Sequence, residues 1–170
     1  CIRDSIQSYV PYYYRIPKCT VPVSQSNRPV IVGFGPAGMF AALILAKAGL
    51  RPIVLERGKC VEQRQEDVTN FRKTGMLCTD SNVQFGEGGA GTFSDGKLTT
   101  GIKDPRIRFV LQSFVECGAP EEILYLAKPH IGTDKLVHVV REMRKTIQRY
   151  GGEILFQAHM ELSLIHISEP

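Results

Sequence analysis

Residues 33–38 read Gly-Phe-Gly-Pro-Ala-Gly, and their surroundings restrict the fold more than any other stretch of the chain. Alone, a glycine pattern of this kind is weak. Here an apolar triplet (Val30, Ile31, Val32) precedes it, residues 36–48 follow with helical character, and an acid, Glu56, stands at the end of a second apolar run over residues 52–55. That context predicts a strand, a helix and a parallel strand, a unit of about 30 residues. Both strands are expected to be buried on both faces, as strands of a parallel sheet usually are. Pro36 presets φ in the first helical turn, and Gly49 is placed to stop the helix in the left-handed region.

Each residue of the motif has a separate physical task. Gly33 permits the tight turn, Gly35 lets backbone approach a ligand without a Cβ in the way, and Gly38 lets the helix pack closely on the sheet. The small Ala37, Ala41 and Ala42 suit the same close packing. The N–H groups of the helix start, with about half a positive charge, favour a pyrophosphate. Glu56 stands where a carboxylate accepts ribose hydroxyls. A 2′-phosphate would be repelled there, even with Arg57 adjacent. The expected ligand is a dinucleotide. FAD and NAD both carry the ADP moiety, but after Glu-Arg-Gly the chain enters a helix and a second glycine-rich loop rather than a third strand. That order favours FAD. An ordinary NAD-dependent Rossmann dehydrogenase is the alternative, and it requires the loop over residues 85–98 to make no cofactor contact.

Further along, residues 60–73 read as a polar helix with Val61, Val68 and Phe71 as its apolar positions, followed by a glycine-rich stretch over 75–101. Asp104 is placed to cap a helix that begins at Pro105, shows Ile107, Val110, Leu111, Phe114 and Val115 on one face, and ends at Gly118. Residues 120–127 suggest a short helix. Thr133 or Asp134 is the expected cap of a helix through Arg149, with Leu136, Val139, Val140, Met143 and Ile147 inward. Its cluster Arg141, Arg144, Lys145 and Arg149 is expected mostly on a solvated outer face. Residues 153–160 read as a returning strand.

Residues 9–29 carry Pro11, Pro17, Pro22 and Pro29 and read as an extended connector. The run Tyr12, Tyr13 and Tyr14 is better explained by a surface strand or packed linker than by stacking on a base. A net charge of +4, spread thinly, gives no nucleic-acid or membrane surface. The chain also lacks an apolar run of the roughly 20 residues that a membrane span needs. Cys1, Cys19, Cys60, Cys78 and Cys117 are scattered, with no C-x-x-C pair, which suggests a reducing, cytoplasmic compartment and neither a zinc site nor a redox pair. His138 and His159 have no companion at metal-ligand spacing. The ends read as foreign. Residues 1–5 can be back-translated into a string whose opposite strand matches the beginning of one that encodes residues 162–167, and the shared string resembles the mosaic end of transposase-based sequencing libraries. Residues 1–5 and 162–170 are therefore read as translated adapter, residues 6–28 as linker, and residues 29–161 as an internal piece of a longer protein.

Three stretches resemble a known family: residues 30–58, the run V-Q-F-G-E-G-G-A-G-T-F-S-D-G-K-L over 83–98, and K-P-H-I-G-T-D-K-L over 128–136. Together they are similar to the FAD-dependent dehydrogenases related to glutathione-reductase-like flavoproteins, over residues 28–160. The resemblance implies an incomplete α/β FAD/NAD(P)-binding Rossmann-like domain with a parallel sheet, joined in the whole protein to a larger substrate domain. It implies that Gly33, Gly35, Pro36, Ala37, Gly38, Glu56 and Arg57 hold the ADP half of FAD. Gly88, Gly89, Gly91, Thr92 and Ser94 would lie along the pyrophosphate, ribityl or isoalloxazine side. A loop so dense in glycine can turn successive N–H groups toward an anion. His130, beside Lys128 in the third stretch, is the candidate proton relay, with a structural role in the loop as its alternative. The implied activity is flavin-dependent oxidation or reduction of a small-molecule substrate, with NAD(P)H as a candidate electron donor. A flavin-binding module without redox turnover is a further alternative. The strand over 152–160 matches the one that contacts adenine, but Met160 departs from the small apolar residue usual there. The piece itself is expected to be poorly stable and weakly active or inactive.

Overall fold

A computed structural model of the chain describes residues 13–20 and 23–161. Cys1, Pro11, Tyr12, Pro22 and both suspected adapter segments lie outside the described residues. The order of elements is β1 (Val30–Val32), α1 (Pro36–Lys47), β2 (Ile53–Glu56), α2 (Val61–Thr74), α3 (Ile107–Glu116), α4 (Thr133–Arg149) and β3 (Glu153–Phe156). Short 3₁₀ turns occur at Gln25–Asn27, Ala90–Phe93 and Glu121–Leu124. The three strands form one parallel sheet in the order β1-β2-β3, an α/β arrangement.

Register explains where the core lies. Ile31, Val54 and Ile154 stand side by side on one face. That face packs against α1 and α4 around Leu43, Ala46, Val139, Met143 and Ile147, all almost fully buried. The opposite face carries Val30, Val32 and Leu155, exposed to 58%, 60% and 42%. The expectation that β1 is buried on both faces is therefore corrected: three consecutive apolar residues carry no alternation, so only the register separates the covered face from the bare one. Arg28 ties the start of the sheet together, with its guanidinium donating to the Arg51 carbonyl and pairing with Glu153 at 3.0 Å.

Helix α1 is bounded as its sequence predicts, with Pro36 first and Gly49 at φ +90° beyond its end. Helix α4 buries the five apolar positions expected of it. Its cap is different. Gly132 precedes the helix with no side-chain cap, and the Thr133 hydroxyl instead donates to the Ser94 carbonyl at 2.9 Å. Asp104 caps a turn before α3 rather than the helix itself, accepting the Arg106 N–H at 2.8 Å, so α3 begins two residues later than expected. The short helix expected over 120–127 is a single 3₁₀ turn. Phe71 stays 37% exposed on α2. Strand β3 ends at Phe156 because Gln157 takes φ +55°, and the next two N–H groups cross to the Gly58 and Glu56 carbonyls.

In the connector, Tyr14 packs on Phe109 with ring centroids 5.1 Å apart, in line with a packed linker. Among the described residues, Cys60, Cys78 and Cys117 are free thiols. No helix among the described residues is long and apolar enough to cross a membrane. Because Ile147 is fully buried between α4 and its neighbours, Ile147→Ala is expected to cost about 2–5 kcal/mol through lost contacts and a residual cavity. Urea unfolding of the two proteins checks this.

Candidate functional site at the meeting of two glycine loops

At the end of β1 the chain turns at Gly33 (φ +91°), whose N–H donates to the Leu55 carbonyl at 2.7 Å. A Cβ on Gly38 would fall on the Gly33 carbonyl, so the first turn of α1 can sit this close only with glycine there. Phe34 is fully buried and serves both neighbouring segments. Its N–H donates to Glu56 Oε2 at 2.6 Å, and its carbonyl accepts the Gly88 N–H at 2.9 Å. The second bond brings a loop more than fifty residues away onto the first. A Cβ on Gly35 would lie 4.0 Å from the Gly89 Cα, and one on Gly89 would lie 3.4 Å from the Gly35 Cα and 3.2 Å from Pro36 Cδ. The two motifs meet backbone to backbone.

Glu56 sits beneath this contact, nearly buried, with Oε1 accepting the Gly58 N–H at 2.7 Å. Each carboxylate oxygen keeps a second lone pair for a hydroxyl. Pro36 and Ala37 are exposed at the start of α1, where the first N–H groups of a helix lack intrahelical partners. Beside them a cleft of about 220 Å³ opens between α1, residues 88–98 and α4, with Pro36, Met39, Gly88, Leu136 and Val140 on its walls. Gly91 and Ser94 stand on its rim.

The remaining candidates are placed less uniformly. Thr92 is buried and turned inward, its hydroxyl 3.5 Å from the Glu87 carbonyl. The Ser94 hydroxyl donates to the Gly91 carbonyl at 2.8 Å. Arg57 is exposed, with its guanidinium 4.5 Å from the centre of the Phe85 ring. His130 is also exposed and lies at the outer margin, its backbone bridged to Lys97 on the cleft rim.

Beneath the second loop lies a charged cluster absent from the expected site. Arg64, fully buried in α2, donates to the Glu87 carbonyl, to Gly89 O at 3.1 Å, to Asn82 O at 3.2 Å and to Val83 O at 3.3 Å. Glu87 is also fully buried; its Oε2 accepts the Val61 N–H at 2.7 Å and pairs with Arg144 at 3.0 Å. Arg144 also bonds Glu62 at 2.6 Å, and Arg141 pairs with the same carboxylate. Arg144 therefore faces inward, a correction to the solvated outer face expected for it. For Arg64 the one sequence signal is spacing: positions 61, 64 and 68 share a face of α2, and Val61 and Val68 are core residues.

No protein-family model matches the chain. A curated relative from Clostridium beijerinckii, described as an uncharacterized protein, is 59% identical over 134 residues, which is 79% of this chain and 25% of the relative. The chain thus spans about a quarter of that relative's length.

Burial raises the Glu87 carboxyl from its ordinary 4.5 to about 7, against the opposing pull of the Val61 N–H and Arg144. The folded protein then keeps a proton that the unfolded chain releases, so this group's contribution to stability is greatest below pH 4.5 and is lost as pH rises through about 7. The expected loss is on the order of 3 kcal/mol, since each tenfold change in proton affinity is worth about 1.4 kcal/mol. Urea midpoints between pH 5 and 8 measure it, and Glu87→Gln is expected to flatten the slope.

Proposed function

We propose that this chain is the nucleotide-holding part of an FAD-dependent oxidoreductase, a dehydrogenase of the glutathione-reductase-like kind acting on a small-molecule substrate. The observation that carries this reading is the contact of Gly35 with Gly89 over the start of α1, with Glu56 close beneath. A side chain at either glycine would fill the space between the loops, and the adjacent helix start supplies N–H groups and positive potential for a pyrophosphate. The residues fit the group. Glu56 would take ribose hydroxyls, Gly35, Ala37 and Gly38 would receive the pyrophosphate, and residues 88–91 with Ser94 would follow the cofactor toward the apolar cleft. Bound there, the flavin supplies the electron chemistry, while the protein binds it, orients it and shields it from water. Thr92 acts from within, holding the turn on which Gly91 is presented. His130, at the cleft margin beside Lys97, is the candidate for moving a proton.

An NAD-dependent dehydrogenase of ordinary Rossmann type would leave the second loop without a part in binding. The proximity of residues 88–89 to the first loop favours FAD over that alternative. Purification of the complete gene product is expected to give a yellow protein whose visible flavin absorbance bleaches on addition of NADH or NADPH. A colourless protein that binds NADH would support the dinucleotide alternative. Flavin that is retained but never reduced by any donor would support a module without turnover.

Gly35 has φ −73°, an angle that any residue adopts, and a Cβ there meets only the Gly89 Cα. Gly35→Ala is therefore expected to leave the melting temperature nearly unchanged while weakening FAD at least about tenfold, or roughly 1.4 kcal/mol. Fluorescence titration of the apoprotein with FAD reads the difference.

A further inference from the structure

We infer that Arg64 is a positioning residue for the cofactor: by gripping carbonyls of the second glycine loop from below, it turns the Ala90 N–H outward as a pyrophosphate donor. This rests on the FAD reading above and deepens it. A buried arginine is costly unless its donors are satisfied. The two terminal nitrogens of Arg64 are satisfied on main chain, where the carbonyls of Asn82, Val83, Glu87 and Gly89 accept from them, while Nε is buried without a partner among the described residues and the guanidinium lies 4.9 Å from the centre of the Phe93 ring. A single planar fork thus fixes the orientation of several peptides at once.

Peptide planarity carries the consequence. In a trans peptide the C=O of one residue and the N–H of the next point in opposite directions. The carbonyl of Glu87 faces Arg64, and the N–H across the same peptide, that of Gly88, indeed points to the first loop, where it donates to Phe34 O at 2.9 Å. The carbonyl of Gly89 faces Arg64 as well. Across that peptide is the N–H of Ala90, an exposed residue at the start of a 3₁₀ turn, next to the glycine that abuts Gly35 and Pro36. The glycines are shaped around this grip. Gly86, at φ +103°, has no room for a Cβ because the Arg64 stem occupies that space, and a Cβ on Gly58 would lie 2.5 Å from the Gly86 Cα. Arg64, Gly86 and Gly58 form a stack with β2 and its Glu56 at one end and the second loop at the other.

Two variants and two probes test the inference in the complete gene product. Arg64→Lys keeps the charge but cannot reach several carbonyls at once. Ala90→Pro removes the N–H directly, at a first-turn position that tolerates proline. Adenosine, which has the ribose for Glu56 and no phosphate, is measured by ligand-observed NMR, and FAD by fluorescence titration. Both variants are expected to weaken FAD at least about tenfold while adenosine stays within about threefold, because only the second loop's donor is lost. If adenosine and FAD affinities fall in parallel in Arg64→Lys, the arginine only holds the fold and the inference fails. It fails equally if Ala90→Pro binds FAD as the wild type does, an outcome that stands even should Arg64→Lys not fold. Wild-type protein that binds neither probe defeats the FAD reading itself, a result distinguishable from either variant outcome.

Discussion

The main-chain approach of the two glycine loops, fixed by the bond from the Gly88 N–H to the Phe34 carbonyl, is the constraint on which the rest of the site depends. So close an approach of two distant loops needs glycine where they touch, Gly35 against Gly89, and both loops held in place. The first loop is held by the β1–α1 turn and by Glu56, which accepts N–H groups from Phe34 and Gly58 and so locks the turn to the end of β2. The second is held by Arg64 and by Glu87, whose carboxylate reaches the Val61 N–H at the start of α2. Helix α2 is therefore less a packing element than a bracket: its buried side is one arginine and two valines, and what it secures is a loop.

The sheet shows the opposite economy. One face is covered by α1 and α4, and the other leaves Val30, Val32 and Leu155 exposed. Parallel sheets are normally covered on both sides. The aligned stretch is only a quarter of the Clostridium relative's length, so the described domain corresponds to a minor part of that protein. The charged cluster beneath the second loop is tied to α4 through Arg144, so the same helix packs the sheet and braces the site.

Much of this is readable from residues, for reasons that differ by element. Helix α1 is bounded by Pro36 and Gly49 because both act through φ alone, independently of tertiary context. The inward face of α4 follows from its 3.6-residue period. Gly33 and Gly38 do what local geometry requires of them: a positive φ at one, a close helix approach at the other. What escapes such a reading depends on partners distant in sequence. The burial of Arg64 and Glu87 and the inward turn of Arg144 follow from where residues 82–89 cross α2. The inward hydroxyl of Thr92 and the replacement of the Thr133 cap by a bond to Ser94 likewise reflect loop packing. The bare face of β1 is invisible in sequence because V-I-V reads the same whether one face is covered or two.

The most direct test of the two-loop site is a crystal structure of the complete gene product grown with FAD. The expected result places the pyrophosphate between the first turn of α1 and residues 88–91, with the Ala37, Gly38 and Ala90 N–H groups within hydrogen-bond distance and Glu56 on the ribose. A nucleotide bound elsewhere, or one seated at α1 with residues 88–91 turned away from it, would contradict the account.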